Sequence, residues 1–313
     1  MKSMRISGYT QACNVKGKLL PYEASIKSML HLCDEVWVAY DSRYDTPNTF
    51  TQIDDRVSVV EQAFEVRELA CYGKQNAAGR SKCTGEWVFI LSLDELIHFK
   101  DVEKIKYLIE YAETNGYTAI GLSEFNYINR NNTFGKQNKT EWNVRPKLTK
   151  NIENVTHGHP DDFLMVNHDG RQILIAGDGD DFIKDGKLYT FNVLVYRDFV
   201  LLEKINNGTA TSQDILRSIE IFPYIYHYAR YSVGRKVQMK THIRNNYFWH
   251  SSPGWDKSIP YSPEEWEQQL GEQIEITPET EVYLDNVISD VEPEHPPEIL
   301  EWKGMIDRKV GWA

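Results

Sequence analysis

Residues 83–98 read Cys-Thr-Gly-Glu-Trp-Val-Phe-Ile-Leu-Ser-Leu-Asp-Glu-Leu-Ile-His, and the rest of the chain is best interpreted from this stretch. A turn-forming Thr-Gly precedes a nearly continuous apolar run at 86–93, which predicts a strand buried on both faces. Asp94 and Glu95 follow at its carboxyl end. In open α/β sheets that end faces the ligand crevice, where a carboxylate can hold a divalent cation against phosphate oxygens. Asp94 is thus the leading functional candidate; the alternative is that Asp94 and Glu95 cap a helix beginning near Asp101 or solvate a loop.

Composition limits the classes of partner. The chain has 313 residues, of which 41% are hydrophobic and 26% charged, enough for one large α/β domain or a domain with an appendage. A net charge of -11 and a pI near 5.4 argue against nucleic acid, whose phosphates select basic surfaces. The sequence has no CxxC pair, no secretory signal and no apolar run of membrane-spanning length. We therefore expect a reduced, cytoplasmic protein without a membrane span.

The chain up to residue 122 alternates between strand and helix patterns. Strands are predicted at 3–9, 35–40, 56–60 and 117–122 beside the central one, with helices after the first strand, at 66–81 and at 102–114. This alternation predicts an α/β fold with a Rossmann-like, mostly parallel sheet. Neither GxGxxG nor GxxxxGK[ST] occurs, so a dinucleotide site and a P-loop are both unsupported.

The pattern then changes to short strands and turns. Strands are predicted at 124–129, 141–149, 163–166, 171–175 and 221–228, hairpin turns at 167–170 and 184–186, and a basic helix at 233–249. The last fifty residues are acidic and contain prolines. This half is therefore expected to form an acceptor-side β region with C-terminal helices.

Several of these motifs together resemble glycosyltransferase family 2, of the A-type fold. They are a polar loop containing Asn14, Asp41-Ser at the end of the second strand, Tyr72-Gly-Lys-Gln-Asn76, and the Gly-Glu-Trp strand that leads to Asp94-Glu95. The family has Asp-x-Asp after that strand, or Gln-Ala-Asp-Glu in one subgroup. Here Ser92-Leu93-Asp94-Glu95 lacks the first acid, so only Asp94 carries over as a metal ligand, with Glu95 supporting it.

The resemblance extends over about residues 3–255 and implies a domain organisation. Residues 1–255 would form the catalytic domain, with a nucleotide-binding half at 1–122 and an acceptor half at 123–255. Residues 256–313 would form an acidic extension packed on it.

The resemblance implies an inverting, metal-dependent transfer from a nucleoside-diphosphate sugar to a glycan or other hydroxyl acceptor. A divalent ion, Mn²⁺ or Mg²⁺, neutralises the departing diphosphate without a protein nucleophile. Asp94 and His227 are its expected ligands. A histidine between two tyrosines is otherwise a packed side chain, and that alternative stays open.

Six residues are expected to contact the donor: Thr10, Asn14, Asp41, Asn76, Ser92 and Lys240. Asp41 resembles the acid that binds the base, and Lys240 lies on the basic helix that could fold over the diphosphate. Four of these residues have a structural alternative. Asp41 suits an Asx turn, the asparagines suit helix caps, and the basic helix suits a solvated face.

An inverting transfer needs a carboxylate that takes the proton of the acceptor hydroxyl. Asp162 is preferred over Asp161, and Glu124 competes with both; a surface turn after Pro160 would explain the same aspartates. Two other functions remain open. One is a sugar-phosphate nucleotidyltransferase, and the other is an inactive sugar- or nucleotide-binding protein, which the missing acid at Ser92 favours.

Overall fold

The chain folds around a mixed β-sheet covered by helices. The computed structural model describes residues 4–65, 71–127, 134–135, 144–152, 155–157, 164–168, 171–174, 180–184, 187–228, 268, 271, 287–288 and 294–309. The strands are β1 (Ile6–Ala12), β2 (Glu35–Tyr40), β3 (Val57–Glu61), β4 (Trp87–Ile90), β5 (Glu95–Ile97), β6 (Ala119–Asn126), β7 (Phe134–Gly135), β8 (Val144–Lys150), β9 (Val155–His157), β10 (Leu164–His168), β11 (Arg171–Leu174), β12 (Asp180–Lys184), β13 (Lys187–Phe191), β14 (Val193–Tyr196), β15 (Tyr224–His227) and β16 (Val287–Ile288). The helices are α1 (Tyr22–Leu30), α2 (Pro47–Thr51), α3 (Cys71–Arg80), α4 (Val102–Asn115), α5 (Phe199–Asn206), α6 (Ser212–Ile221) and α7 (Leu300–Lys309).

Within these residues, nine strands form one sheet. Its order is β3-β2-β1-β4-β8-β6-β15-β5, and β14 also pairs with β6. Neighbours are parallel from β3 through β4, and β6 is parallel to both β14 and β15. β8 and β5 run antiparallel to the strands beside them. The predicted α/β class with a Rossmann-like, mostly parallel sheet is confirmed.

Alternate side chains of β4 enter two separate cores, as a strand buried on both faces requires. Trp87 and Phe89 pack in the core that also holds apolar residues of α1 and α4. Val88 and Ile90 pack on the other face with Tyr9, where α3 lies against β1 and β2. The central apolar run is therefore covered by helices on both faces.

The turn before β4 depends on Gly85. A Cβ atom at this position would lie 2.6 Å from the Ser7 amide nitrogen and 2.8 Å from the Arg5 carbonyl oxygen. Both are backbone atoms at the start of β1, so they cannot move aside as a side chain could. Only glycine lets the chain enter β4 this close to its neighbour.

The central strand is shorter than predicted, because β4 ends at Ile90 and a second strand, β5, begins at Glu95 and pairs with β15. The alternative in which Asp94 caps the following helix is wrong. α4 is preceded by a 3₁₀ turn whose cap is His98, which accepts from the Lys100 amide. Asp94 lies instead in the loop between two strands.

The strands predicted at 117–122 and 124–129 are in fact one strand, β6, with an irregularity between Ile120 and Gly121. Its first half pairs with β14 and its second half with β15, so one edge is shared by two partners. The residues between the two predicted strands therefore continue the ladder instead of turning.

The second half contains the predicted hairpins. β10 pairs with β11 and β12 with β13, each antiparallel, as hairpins between these strands require. Asn167, His168 and Lys184, which were predicted in the turns, belong to the strands. α5 and α6 were not predicted. α6 begins at a capping box formed by Thr211 and Asp214, a Thr-x-x-Asp signal that the sequence carries. The predicted basic helix at 233–249 lies outside the described residues.

The end of the chain packs on the sheet through aromatic rings. Tyr127 stacks on Tyr228 with ring centroids 4.5 Å apart, and His295 lies 4.7 Å from Tyr127. The Trp302 indole donates to the Leu19 carbonyl at 2.8 Å. Residues 294–309 thus contact this sheet, while the domain boundary at 255 stays a prediction.

Arg80, the last residue of α3, ties this helix to the strands beneath it. Its buried guanidinium donates to the Thr149 hydroxyl at 2.8 Å, the Lys150 carbonyl at 3.0 Å and the Val155 carbonyl at 3.1 Å. The Cζ atom of the Arg80 guanidinium also lies 5.9 Å from the centre of the Tyr9 ring. One side chain therefore joins α3, β8, β9 and β1.

Arg80→Met is expected to lower the free energy of unfolding by about 2–4 kcal/mol, because three charge-assisted hydrogen bonds are lost inside the protein. Urea denaturation at neutral pH measures it. Arg217→Met, on the exposed side of α6, is the matched control and should change stability by less than about 0.5 kcal/mol. Equal losses in the two variants would contradict this role.

Candidate active site

The candidate site lies at one edge of the sheet. β4 and β6 are each antiparallel to β8, so they run in the same direction as each other and as β1, β2 and β15. The carboxyl ends of all these strands therefore meet at one edge. Asn14, Asp41 and Asp94 follow three of them, and His227 ends a fourth.

Asp94 and His227 are neighbours at this edge. The Asp94 Oδ1 atom lies 3.6 Å from the His227 Nε2 atom, and the Asp94 side chain is buried. The backbone holds the pair together, since the Tyr228 amide donates to the Asp94 carbonyl at 2.7 Å and His227 pairs with Glu95 across β15 and β5. The two predicted metal ligands are thus brought together by strand pairing.

Glu95 is held by a buried ammonium group. Lys147, on β8, donates to the two Glu95 carboxylate oxygens at 2.8 and 2.7 Å, and both side chains are at most 4% exposed. The Ser92 amide donates to the same carboxylate at 2.8 Å. Lys147 also lies 3.7 Å from Glu124 Oε1, on β6. Lys147 was not predicted from the sequence, because no motif or charge pattern distinguishes it within its strand.

The donor atoms at this edge suit a divalent cation. Ligand atoms of Glu95, Glu124 and His227 all lie within 4.8 Å of one another. Carboxylate oxygens are the ligands that Mg²⁺ prefers, and imidazole extends the set to Mn²⁺ and other transition metals. Lys147, however, already binds both oxygens of Glu95. The Asp94 and His227 atoms, 3.6 Å apart, are close enough to bind one ion at metal–ligand distances of about 2.0–2.2 Å.

Asp41 organises the turn after β2. Its carboxylate accepts from the Arg43 amide at 3.0 Å, from the Arg43 guanidinium at 2.6 Å and from the Phe64 amide at 2.7 Å. Burial raises the pKa of this carboxyl group, but these hydrogen bonds outweigh it and lower the pKa below its usual value. The contacts are those of an Asx turn, and a nucleobase contact stays a prediction.

The loop after β1 is shaped by Asn14. Its backbone has a φ of 54°, a left-handed conformation that asparagine tolerates, and its side-chain oxygen accepts from the Gly17 amide at 3.1 Å. A side chain at Gly17 would collide with the Asn14 amide. Asp45 supports the loop by accepting from the Val15 amide at 3.0 Å. Asn14 therefore caps a loop turn and not a helix.

The other residues predicted to contact the sugar nucleotide lie in three different parts of the fold. Thr10 is fully buried within β1. Asn76 is buried in the middle of α3, so it is not a helix cap. Ser92 donates its amide to Glu95 and accepts from the Ser25 hydroxyl at its carbonyl, 3.2 Å away.

Three predicted residues, Asp161, Asp162 and Lys240, lie outside the described residues. Glu124 is therefore the one predicted base that the described residues include, and it lies in the same cluster as His227. In the part of the chain that the structure covers, no helix is both long and apolar enough to cross a bilayer.

Comparisons with known proteins give distant likenesses. Neither a family model nor a curated protein sequence matches the chain. Among solved structures, TarS from S. aureus is 15% identical, with a TM-score of 0.33 over 47% of this chain and 47% of that one, so the chain spans about half its length. TarS in complex with UDP-GlcNAc gives a TM-score of 0.32 at the same identity. The 4-diphosphocytidyl-2C-methyl-D-erythritol synthase from Anaerococcus prevotii is 10% identical, with a TM-score of 0.32 over 47% of this chain and 70% of that one. The fold is therefore assigned from strand order and register.

Asp41→Asn is expected to lower the free energy of unfolding at pH 7 by about 2–4 kcal/mol, since a buried carboxylate with a guanidinium partner becomes neutral. The carboxyl pKa is lowered in the folded protein, so its contribution is present above its ordinary value of 3.8 and is lost as the pH falls through the native pKa. The stability difference from wild type should therefore shrink below about pH 4 in urea denaturation at several pH values.

Asp54→Asn is the control for that variant. Asp54 accepts from the Arg56 amide and guanidinium in the same Asp-x-Arg arrangement, but its side chain is 30% exposed. We expect a much smaller loss of stability there. A loss at Asp41 that does not vary with pH would show that the charge of the carboxylate does not matter.

Proposed function

We propose that the chain is a metal-dependent, inverting glycosyltransferase of the A-type fold that uses a nucleoside-diphosphate sugar. The observation that carries the proposal is the approach of Asp94 to His227, at 3.6 Å, on the sheet edge where the parallel strands end. The residues of 83–95 resemble the family independently of this geometry. Sequence and geometry thus support the same edge as the site.

In this proposal Asp94 and His227 hold the ion. Asp94 supplies an anionic oxygen, and His227 supplies a neutral imidazole nitrogen. The bound ion would neutralise the charge that develops on the departing diphosphate. The pairing of β5 with β15 holds both ligands in place before substrate arrives, which limits the reorganisation needed at the reacting centre.

The donor would extend along the sheet edge from this ion towards β1 and β2. Asn14 and Asp41 follow those strands, and Asn76 lies buried on the helix that covers them. Nucleoside contacts from these strand ends would leave the diphosphate near Asp94. Lys240, on the predicted basic helix, is proposed to contact the leaving group.

The acceptor hydroxyl must lose its proton to a carboxylate across the anomeric carbon from the diphosphate. Asp162 and Asp161 are proposed from the sequence. Glu124 is supported by its position on β6, beside Lys147 and within the cluster that contains His227. A base this close to the ion would require the acceptor to enter over β6.

Ligand binding tests the metal site. Wild type should show a rise in melting temperature with one of UDP, GDP, CDP or dTDP, and the rise should be larger with Mn²⁺ present. In Asp94→Asn and His227→Ala the manganese-dependent part should vanish, and transfer should fall by at least about 10²-fold, because an anionic or imidazole ligand is lost.

Asp55→Asn, an exposed surface aspartate, is the matched control and should behave as wild type. Melting without ligand shows that each variant is folded. Normal manganese dependence in both site variants would remove the metal from the proposal. Release of pyrophosphate from a nucleoside triphosphate and a sugar phosphate would indicate the nucleotidyltransferase instead.

Replacement of the base should slow transfer by about 10²–10⁴-fold while donor and metal binding persist. The variants are Asp162→Asn, Asp161→Asn and Glu124→Gln, and one of them alone should show the effect. Product analysis by NMR then reports whether the anomeric configuration is inverted. Three active variants would exclude all the proposed bases, and a retained configuration would exclude the inverting mechanism.

A further inference from the structure

The cluster of Glu95, Glu124 and His227 has a second position for a positive charge, beside the proposed metal ion. The Lys147 side chain already occupies this position. The Lys147 ammonium lies 2.7 and 2.8 Å from the two oxygens of Glu95 and 3.7 Å from Glu124 Oε1. Its side chain is only 2% exposed. A lysine is buried this deeply when carboxylates compensate its charge, and here the contact with Glu95 has the short distances of charge-assisted hydrogen bonds.

A divalent ion cannot readily use the same oxygens. An ion bound to the Glu95 carboxylate would lie within a few ångströms of the Lys147 ammonium, and like charges in a dehydrated site repel strongly. Glu95 is also engaged by the Ser92 amide, which fixes the loop that carries Asp94. The Glu95 carboxylate therefore stabilises the conformation of the loop that carries Asp94.

We infer that Lys147 acts as a built-in cation that keeps Glu95 out of the metal's coordination and confines a single divalent ion to Asp94 and His227. Lys147 is in this sense a positioning residue that determines how many metal ions the site binds and how tightly it binds them. The inference rests on the proposed function, because the ion is the one that the proposed transferase would use. It explains why two acids can stand together at 94–95 although only one is needed as a ligand.

The test is manganese binding to the full chain, measured from the free Mn²⁺ signal in electron paramagnetic resonance and from melting in EDTA and in Mn²⁺. Wild type should bind one Mn²⁺. Lys147→Met leaves the Glu95 carboxylate buried without its ammonium, so it should melt at a lower temperature in EDTA. It should bind manganese at least about tenfold more tightly than wild type, or bind a second ion, and Mn²⁺ should restore its melting temperature.

Two further variants keep the test independent of folding. The double variant Glu95→Gln, Lys147→Met removes both charges of the Glu95–Lys147 pair, so it should fold stably in EDTA. It should also lack the gain in manganese affinity that Lys147→Met shows over wild type. Lys150→Met is the matched control, because Lys150 lies on the same strand but pairs with Glu113 on α4, at 2.9 Å. It should bind manganese as wild type does.

The outcomes separate the inference from the proposed function. If wild type binds Mn²⁺ and Lys147→Met binds it with the same affinity and stoichiometry, the inference is overturned and the metal-dependent transferase stands. If Lys147→Met gains a site that wild type lacks altogether, the role of Lys147 is supported and metal dependence is overturned. No binding in any variant overturns both.

Discussion

The candidate site depends on the antiparallel pairing of β5 with β15. This ladder brings His227 opposite Glu95 and lets the Tyr228 amide hold the Asp94 carbonyl, so two distant parts of the chain meet at one edge. Buried backbone groups must be hydrogen-bonded, and the register of a ladder can shift only in whole residues. A one-residue slip would reverse the face on which the histidine lies. The geometry of the site is therefore set by the backbone.

The same edge combines two kinds of charge compensation. Asp41 is neutralised by Arg43, two residues away, and Glu95 by Lys147, which comes from a distant strand. The first pair is local and organises a turn, whereas the second joins β5 to β8 and lies deep in the protein. The ammonium on both oxygens of Glu95 makes that carboxylate a poor ligand for a metal ion. At this edge Asp94 differs from Glu95, because an imidazole lies beside Asp94 and an ammonium is bound to Glu95.

Sequence patterns predicted the sheet better than the site. The pattern of apolar residues predicted β2 at its observed bounds and α4 to within one residue. Such elements can be predicted because the spacing of apolar residues within each segment reflects which of its side chains are buried. β5 was missed, since three residues carry too short a pattern to be recognised. Asp94 was predicted from its place at the end of the most apolar strand, and His227 through the family resemblance. Lys147 was not predicted, because its role depends on residues of other strands, which lie beside it only in the folded chain.

The hydrogen bond from Trp302 to the Leu19 carbonyl joins positions 283 residues apart and anchors the segment that follows the Asn14 loop. At synthesis rates of about 5–20 residues per second, roughly 15–60 seconds separate the emergence of these two partners from the ribosome. The first strands can pair long before Trp302 is synthesised. The segment around Leu19 therefore acquires this contact only after the strands on which Asp94 and His227 meet have all emerged.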